Sequence, residues 1–230
     1  MKILKSTMFF LCASMVVSTS SGAGAAEKIN FLLNWTPTAD HSPYFYALEK
    51  GLYAAAGLEV KIEPGKGSGM SSQRVGIGKN QMGIADLATA FVAKSKGANL
   101  VAVMNVYANS PYMLYWLKSS GIKGPKDFVG KKLGNPPWDA ARVMWPALEK
   151  AVGLPAKSVS FVNVSPQAKL PALKSGAIDL TTDFYNGHDI KIQTFGDDMG
   201  SMPWRKVGIN PYGNSVIVNG AYLKANRDAV

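Results

Sequence analysis

Short apolar segments alternate with longer segments of mixed polarity over most of this chain of 230 residues. The short segments are bounded by turn-forming residues, a pattern typical of buried β-strands. Several of the longer segments end at a glycine, such as Gly57, Gly153 and Gly176, and glycine is favoured just beyond the end of a helix. Strands that alternate with helices form parallel sheets with helices on both faces. The sequence therefore predicts an α/β fold built on parallel sheets.

The alternation runs in two cycles, which are separated near Pro111. The first cycle predicts strands at 28–33, 58–62, 82–85 and 100–106 and helices at 44–56, 70–77 and 87–96. The second predicts strands at 112–117, 131–134, 158–164 and 178–181 and helices at 138–152 and 166–174. Residues 211–219 are then predicted to be extended, and a helix to begin at Ala221. Two cycles indicate two lobes that face each other: residues 27–111, completed in part by 212–230, and residues 112–211.

The first 26 residues have the order of a secretory signal peptide. Lys2 and Lys5 form a basic start, residues 8–17 are almost wholly apolar, and small residues fill positions 21–26. The apolar segment is too short to span a bilayer, so we expect residues 1–26 to be cleaved and the mature chain to reach the periplasm. Cys12 is the only cysteine, and it lies in this segment. The mature chain is therefore expected to have no disulfide and no thiolate nucleophile.

The chain is basic, with 25 lysines and arginines against 15 acidic residues and a net charge of +10. A basic balance invites a nucleic-acid partner, but the lysines are dispersed and form no basic run. Solubility, or a mild attraction of anionic solutes, explains the charge. His41 and His188 are the only histidines and lie far apart. We therefore expect no nucleic-acid partner, no metal and no cofactor.

The strongest candidate for a ligand site follows the first predicted strand, where Asn34 and Trp35 stand. Ligands of open α/β sheets bind beyond the carboxyl ends of the strands. An indole at that position can stack on a planar ring, and an amide can orient the ring by hydrogen bonds. The alternative is a tryptophan that closes the core beneath the loop. Both interpretations remain open from the sequence.

Polar and aromatic residues near other predicted strand ends and helix starts complete the candidate ligand site. They are His41, Tyr44, Ser68, Asp86, Thr89, Asn109, Trp138, Arg142, Asp183, Tyr185 and Asn186. In the second lobe, Asp183 and its neighbours are the best candidates, because polar groups at a strand exit suit the nitrogens of a heteroaromatic ring. Asp86 and Asp139 have an alternative role as helix N-caps.

A glycine-rich loop, residues 65–72 with the sequence GKGSGMSS, precedes the second predicted helix. Free amides at a helix start, with hydroxyls and Lys66 nearby, could bind an anion. Glycine-rich loops are also often simple turns. The loop therefore supports either an anion-binding site or a structural turn.

Residues 28–38, KINFLLNWTPT, together with His41 and the segment KGLY at 50–53, resemble the opening of one family. Further matches are GKKLG at 130–134 and LKSGAID at 173–179. The family contains bacterial solute-binding proteins for pyrimidine precursors of thiamine, and the fungal enzyme that makes that pyrimidine. It is related to binders of sulfonates, nitrate and taurine. The resemblance implies a two-lobed periplasmic-binding fold of type II that closes on a small molecule and serves an ABC permease in the inner membrane.

Two other functions remain open beside a binder of heteroaromatic solutes. One is a binder of an alkanesulfonate or another small oxyanion, which would use the glycine-rich loop and Arg142. The other is an enzyme related to the fungal synthase, with a role for His41. Against it, residues 208–214, GINPYGN, contain no cysteine where the fungal enzyme has a cysteine-rich motif. We therefore expect a binding protein and not an enzyme.

The resemblance also concerns length, because members of the family are longer than this chain. It implies that the C-terminal part of the first lobe is missing. We expect a monomer, with self-association possible if apolar surface is left uncovered.

Overall fold

The computed structural model describes residues 25–230. The predicted signal peptide, with Cys12, therefore lies almost entirely outside the described residues. Within the described range, no helix is both long enough and apolar enough to cross a membrane.

Ten strands form two five-stranded sheets in the described part of the chain. The first sheet contains β1 (Glu27–Leu32), β2 (Leu58–Glu63), β3 (Met82–Asp86), β4 (Leu100–Asn105) and β10 (Asn214–Asn219), in the order β2-β1-β3-β10-β4. The second contains β5 (Tyr112–Leu117), β6 (Lys132–Gly134), β7 (Ser160–Val162), β8 (Leu180–Phe184) and β9 (Met199–Pro203), in the order β7-β6-β8-β5-β9. We call each sheet with its helices the first and the second lobe. The exact residue boundaries of the lobes stay a prediction.

Helices cover both sheets. The first lobe carries α1 (Ser42–Glu49), α2 (Leu52–Ala55), α3 (Ser68–Gly76), α4 (Leu87–Ser95) and α8 (Gly220–Ala225). The second lobe carries α5 (Ala140–Val152), α6 (Lys169–Lys174) and α7 (His188–Phe195). The helix predicted at 44–56 is divided into α1 and α2, because Gly51 adopts the left-handed conformation with a φ of 67°.

The sheets are mixed: the predicted parallel pairing is present in both, but each also contains antiparallel pairs. β10 runs antiparallel to β3 and β4, and β5 runs antiparallel to β8 and β9. The chain enters β5 and β10 by crossing from one lobe to the other. A strand reached in this way is not tied to its neighbour by a helical crossover on the same sheet, which is the connection that parallel pairing requires.

Two crossing segments, residues 106–111 and 208–213, lie side by side between the lobes. The amide of Gly213 donates to the carbonyl of Tyr107 at 2.9 Å. The Asn210 side chain accepts from the amide of Ser110 at 2.8 Å and donates to Asn109 at 2.9 Å. These bonds hold together the two segments that connect the lobes.

Each lobe has its own apolar core. Trp145, Trp204, Phe128 and Leu114 are almost fully buried in the main cluster of the second lobe. In the first lobe, buried residues of β1, β3 and β10 pack together. The first strand emerges from this core at Leu33, which fixes the position of the following loop.

Candidate functional site

A cavity of about 580 Å³ lies between the two lobes. Residues near the carboxyl ends of β1 and β8 line it, as expected for ligands of open α/β sheets. Five of the predicted site residues are in its wall: Asn34, Trp35, Ser68, Asp183 and Asn186. The fold thus brings predicted site residues from both lobes to one cavity.

Asn34 is buried at the end of the first strand and belongs to a hydrogen-bond network of side chains. Its Oδ1 lies 2.9 Å from Nε2 of His41, and its Nδ2 donates to Oδ1 of Asn214 at 3.1 Å. Nδ1 of His41 lies 3.2 Å from the amide nitrogen of Thr38. His41 itself is not in the cavity wall and is 1% exposed. It supports Asn34 from behind.

Trp35 is partly exposed in the cavity, and a buried lysine of the second lobe lies over it. Nζ of Lys169 is 5.0 Å from the centre of the Trp35 ring. The same ammonium donates to Oδ2 of Asp139 at 3.1 Å and to the carbonyl of Thr182 at 2.9 Å. Oδ1 of Asp139 accepts from the amide of Ala141 at 2.9 Å, which confirms its predicted role as a helix N-cap. Sequence reasoning missed Lys169.

A second lysine in the cavity wall is also neutralised. Nζ of Lys191 donates to Oδ2 of Asp183 at 2.8 Å and to the carbonyl of Gly187 at 3.0 Å. It lies 4.7 Å from the centre of the Tyr115 ring. The predicted site residue Asp183 therefore has one carboxylate oxygen committed to Lys191, a residue that sequence reasoning also missed.

Three aspartates, Asp40, Asp139 and Asp183, and two lysines line the cavity, so its wall has a small excess of negative charge. Among the described residues that line the cavity, the cations are Lys169 and Lys191, and each is in an ion pair. Asp40 lines the first-lobe wall and adds a third carboxylate to those of the two ion pairs. A fully anionic ligand would therefore have to compete with protein carboxylates for both ammonium groups.

Asp86 and Thr89 are buried behind the wall and form a helix N-cap. Oδ1 of Asp86 accepts from the amide of Thr89 at 3.0 Å and from its hydroxyl at 3.1 Å, which confirms the capping interpretation. The Asp86 amide donates to the hydroxyl of Ser68 at 3.0 Å. Burial raises the pKa of the Asp86 carboxyl to about 6. Its Oδ2 has no partner among the described residues.

The amides of the three glycines in the glycine-rich loop are bound to protein carbonyls. Gly65 donates to the carbonyl of Trp35 at 3.0 Å and Gly67 to that of Asn34 at 2.7 Å. Gly69 donates across the lobes to the carbonyl of Trp138 at 3.1 Å. The loop thus packs on the first strand exit and on the second lobe. This geometry favours the structural interpretation of the loop over an anion-binding one.

Some predicted site residues are not in the cavity wall. Trp138 lies beside the glycine-rich loop, and 45% of the residue is exposed. The guanidinium of Arg142 donates to the carbonyls of Asn135 at 2.6 Å and Val162 at 3.0 Å, so it joins two parts of the second lobe. Tyr44 packs on Phe31, with 5.3 Å between ring centres.

Asn109 and Tyr185 line a separate hollow of about 300 Å³ next to the crossing segments. Tyr107 and Arg205 also line it. The strand-exit rule places Tyr185 close to the cavity in sequence, but the turn after β8 directs it to this hollow. The rule that ligands bind beyond strand ends therefore identifies the region of the site, but it does not distinguish which of several neighbouring residues line the cavity.

Known proteins are similar to this chain in sequence and in fold. A formylaminopyrimidine-binding protein of Halalkalibacterium halodurans is 23% identical over 220 residues, which are 95% of this chain and 66% of that protein. A 4-amino-5-hydroxymethyl-2-methylpyrimidine phosphate synthase of Saccharomyces cerevisiae is 36% identical over 114 residues, 48% of this chain. That match spans only 33% of the yeast protein.

A Candida albicans protein with the generic periplasmic-binding-protein fold superposes with a TM-score of 0.68 at 16% identity. The match covers 88% of this chain and 66% of the Candida protein. The predicted α/β periplasmic-binding fold is thereby confirmed. The family model described as NMT1/THI5 like matches residues 38–230. The chain therefore belongs to the NMT1/THI5-like family.

Proposed function

We propose that this protein is the periplasmic solute-binding component of an ABC importer and captures a small, uncharged heteroaromatic molecule between its lobes. The observation that carries the proposal is the composition of the cavity wall. It presents an indole and side-chain amides, while both of its lysines are neutralised by aspartates.

The size of the cavity is in the range of small-molecule binding sites. Ligand pockets are usually clefts of about 300–1,000 Å³ with mostly apolar walls and a few placed polar groups, and this cavity measures about 580 Å³. Trp35 can stack on a planar ligand, because its ring is partly exposed at the first-lobe wall. Asn34 and Asn186, one from each lobe, can bond to the edge of the ring.

The paired lysines and the excess carboxylate of the wall favour a neutral ring over an oxyanion. A sulfonate or phosphate would require a free cation or free amides. Lys169 and Lys191 are already paired, and the amides of the three glycines in the glycine-rich loop are directed at protein carbonyls. We therefore prefer a pyrimidine precursor of thiamine, which agrees with the pyrimidine named for the Halalkalibacterium relative.

Binding without turnover is the activity that we propose. His41, the residue considered for an enzymatic role, is 1% exposed and has neighbours at both ring nitrogens. A histidine in that position can support the wall of a cleft, whereas direct chemistry on a bound ligand requires contact with it.

The test is a calorimetric titration of the protein, expressed from the full-length sequence and processed in the cell. One titrant is 4-amino-5-hydroxymethyl-2-methylpyrimidine, the second is its N-formyl-5-aminomethyl analogue, and the third is ethanesulfonate. We expect saturable one-to-one binding of a pyrimidine and none of the sulfonate at the same concentration. Tight sulfonate binding without pyrimidine binding would replace the proposed ligand class with the oxyanion alternative.

A further inference from the structure

His41 is enclosed in the first lobe, with hydrogen-bond partners at both nitrogens of its ring. Nδ1 lies 3.2 Å from the backbone nitrogen of Thr38 and 3.0 Å from its hydroxyl. Nε2 lies 2.9 Å from Oδ1 of Asn34. A neutral imidazole has one nitrogen that donates and one that accepts. The position of its single proton therefore decides which ring nitrogen donates a hydrogen bond and which one accepts.

The backbone of Thr38 identifies the accepting nitrogen. A hydroxyl can donate or accept, and a side-chain amide can be turned over, but a backbone N–H can only donate. The amide of Thr38 points at Nδ1, so Nδ1 accepts and the proton is on Nε2. Burial lowers the pKa of the His41 imidazole, although the nearby Asp40 carboxylate acts in the opposite direction. A ring nitrogen that accepts from an N–H carries no proton, so the bond to Thr38 requires the neutral ring.

The proton on Nε2 fixes the orientation of the neighbouring amide. Nε2–H donates to Oδ1 of Asn34, and the Nδ2 group of Asn34 is then on the other side, where one N–H donates to Asn214. An amide nitrogen has two N–H groups. Asn34 lines the cavity, so its second N–H is the group available to a bound molecule.

We propose that His41 is a positioning residue for specificity: with its proton on Nε2 it fixes the polarity of Asn34, so that the ligand must present a hydrogen-bond acceptor there. This requirement on the ligand rests on the proposed function and specifies it further. A ring nitrogen or a carbonyl oxygen satisfies the requirement, whereas an N–H or C–H at the same position does not.

The proton position can be measured without any ligand. Long-range ¹H–¹⁵N correlation spectra of the ¹⁵N-labelled full chain distinguish a pyridine-type from a pyrrole-type ring nitrogen. His188→Gln assigns the two sets of signals, because the chain has two histidines. We expect a pyridine-type Nδ1 and a pyrrole-type Nε2 for His41 at pH 7. A pyrrole-type Nδ1 would overturn the proposal.

Thr38→Ala is the matched control for this measurement. It keeps the backbone N–H and removes the hydroxyl, which donates to Asp40 and is the nearest group that could accept a proton from Nδ1. We expect the His41 signals to keep the same pattern in Thr38→Ala. A change of tautomer in this variant would show that the hydroxyl, and not the backbone amide, sets the ring, which also overturns the proposal.

A binding experiment tests the consequence for the ligand. The probes are 4-amino-5-hydroxymethyl-2-methylpyrimidine and the benzene with the same substituents, which lacks the ring acceptors. We expect the wild type to prefer the pyrimidine on the order of tenfold or more, Asn34→Asp to lose this preference, and His41→Gln to retain more of it than His41→Leu. Equal affinity of the wild type for both probes would refute the acceptor requirement. Failure of both probes to bind would refute the proposed function, while the tautomer would still decide the role of His41.

Discussion

Nζ of Lys169, in the second lobe, lies 5.0 Å from the centre of the Trp35 ring, in the first lobe. An ammonium over an indole stabilises a structure by about 0.5–2 kcal/mol, with the larger values for desolvated pairs. Lys169 is 5% exposed, so this contact is largely desolvated. It connects the lobes at the wall of the cavity and places a positive charge beside the ring that we expect to stack on the ligand.

Lys169→Met should destabilise the fold by about 3–5 kcal/mol, because it leaves the buried carboxylate of Asp139 without its cation. The double variant Lys169→Met with Asp139→Asn removes both charges and keeps the side-chain oxygen that caps α5. We expect it to be more stable than the single variant. Urea denaturation of the three proteins measures the difference. A double variant that is as unstable as the single one would show that packing of the lysine stem, and not the ion pair, is important.

Trp35→Phe should weaken binding of the preferred pyrimidine, and Trp35→Ala should weaken it further, by about 1–3 kcal/mol in total. The reason is the loss of stacking area on the ligand. Titrations followed by tryptophan fluorescence measure both the affinity and the source of the signal. Trp138→Phe is the matched control, because Trp138 is exposed and lies outside the cavity wall. The interpretation fails if Trp138→Phe abolishes the fluorescence change and Trp35→Phe leaves it intact.

The strands and the first-lobe wall could be predicted from the sequence for a local reason. Short apolar runs with turn residues on both sides leave few alternatives to a buried strand, and the end of β1 then places Asn34 and Trp35 at the cleft. α7 and β9 could not be predicted in this way. The buried residue of α7 is a lysine, so the helix has no apolar stripe, and β9 contains glycine and proline, which are depleted in strands.

The two lysines of the cavity show where sequence reasoning ends. A lysine is almost never fully buried unless it is paired, and the partners here are distant in the chain or in an unpredicted helix. Lys169 is 30 residues from Asp139, and Lys191 reaches Asp183 from α7. Only the tertiary structure brings the partners together, so the charge balance of the site could not be read from the sequence.

Gly67→Ala should reduce ligand affinity by hindering the approach of the lobes. The φ of Gly67 is 131°, and a Cβ built there would lie 2.1 Å from the carbonyl oxygen of Trp138 in the second lobe. A non-glycine residue in this conformation costs about 1–3 kcal/mol. We expect weaker binding and, in small-angle scattering with the pyrimidine present, a larger radius of gyration than for the wild type.

Gly69→Ala provides the comparison for that experiment. A Cβ at Gly69 would lie 3.2 Å from the same carbonyl oxygen, so a small shift can accommodate it, and its backbone has no positive φ. We expect Gly69→Ala to bind nearly as well as the wild type. Equal losses in the two variants would indicate a general effect on the loop and would contradict a specific block at Gly67.

Asp86→Asn should stabilise the protein at neutral and alkaline pH but not in acid. Burial, which is the main cause, and the nearby Asp139 charge raise the folded-state pKa of Asp86 to about 6, against about 3.9 for an unfolded aspartate. Between these values the folded state holds more protons than the unfolded state, so the free energy of unfolding falls as the pH rises through this window. Above the window the buried carboxylate costs about 1–3 kcal/mol. Asparagine keeps an oxygen for the amide of Thr89 and carries no charge.

Urea denaturation of wild type and Asp86→Asn at pH 4 and pH 8 isolates this contribution. Other titrating groups, including His41, are common to both proteins and cancel in the difference. We expect the two proteins to have similar stability at pH 4 and the variant to be more stable at pH 8. The same difference at both values would mean that the Asp86 carboxyl titrates as an ordinary aspartate, and its unpartnered Oδ2 would then have a counterpart, such as a buried water, that stabilises the charge.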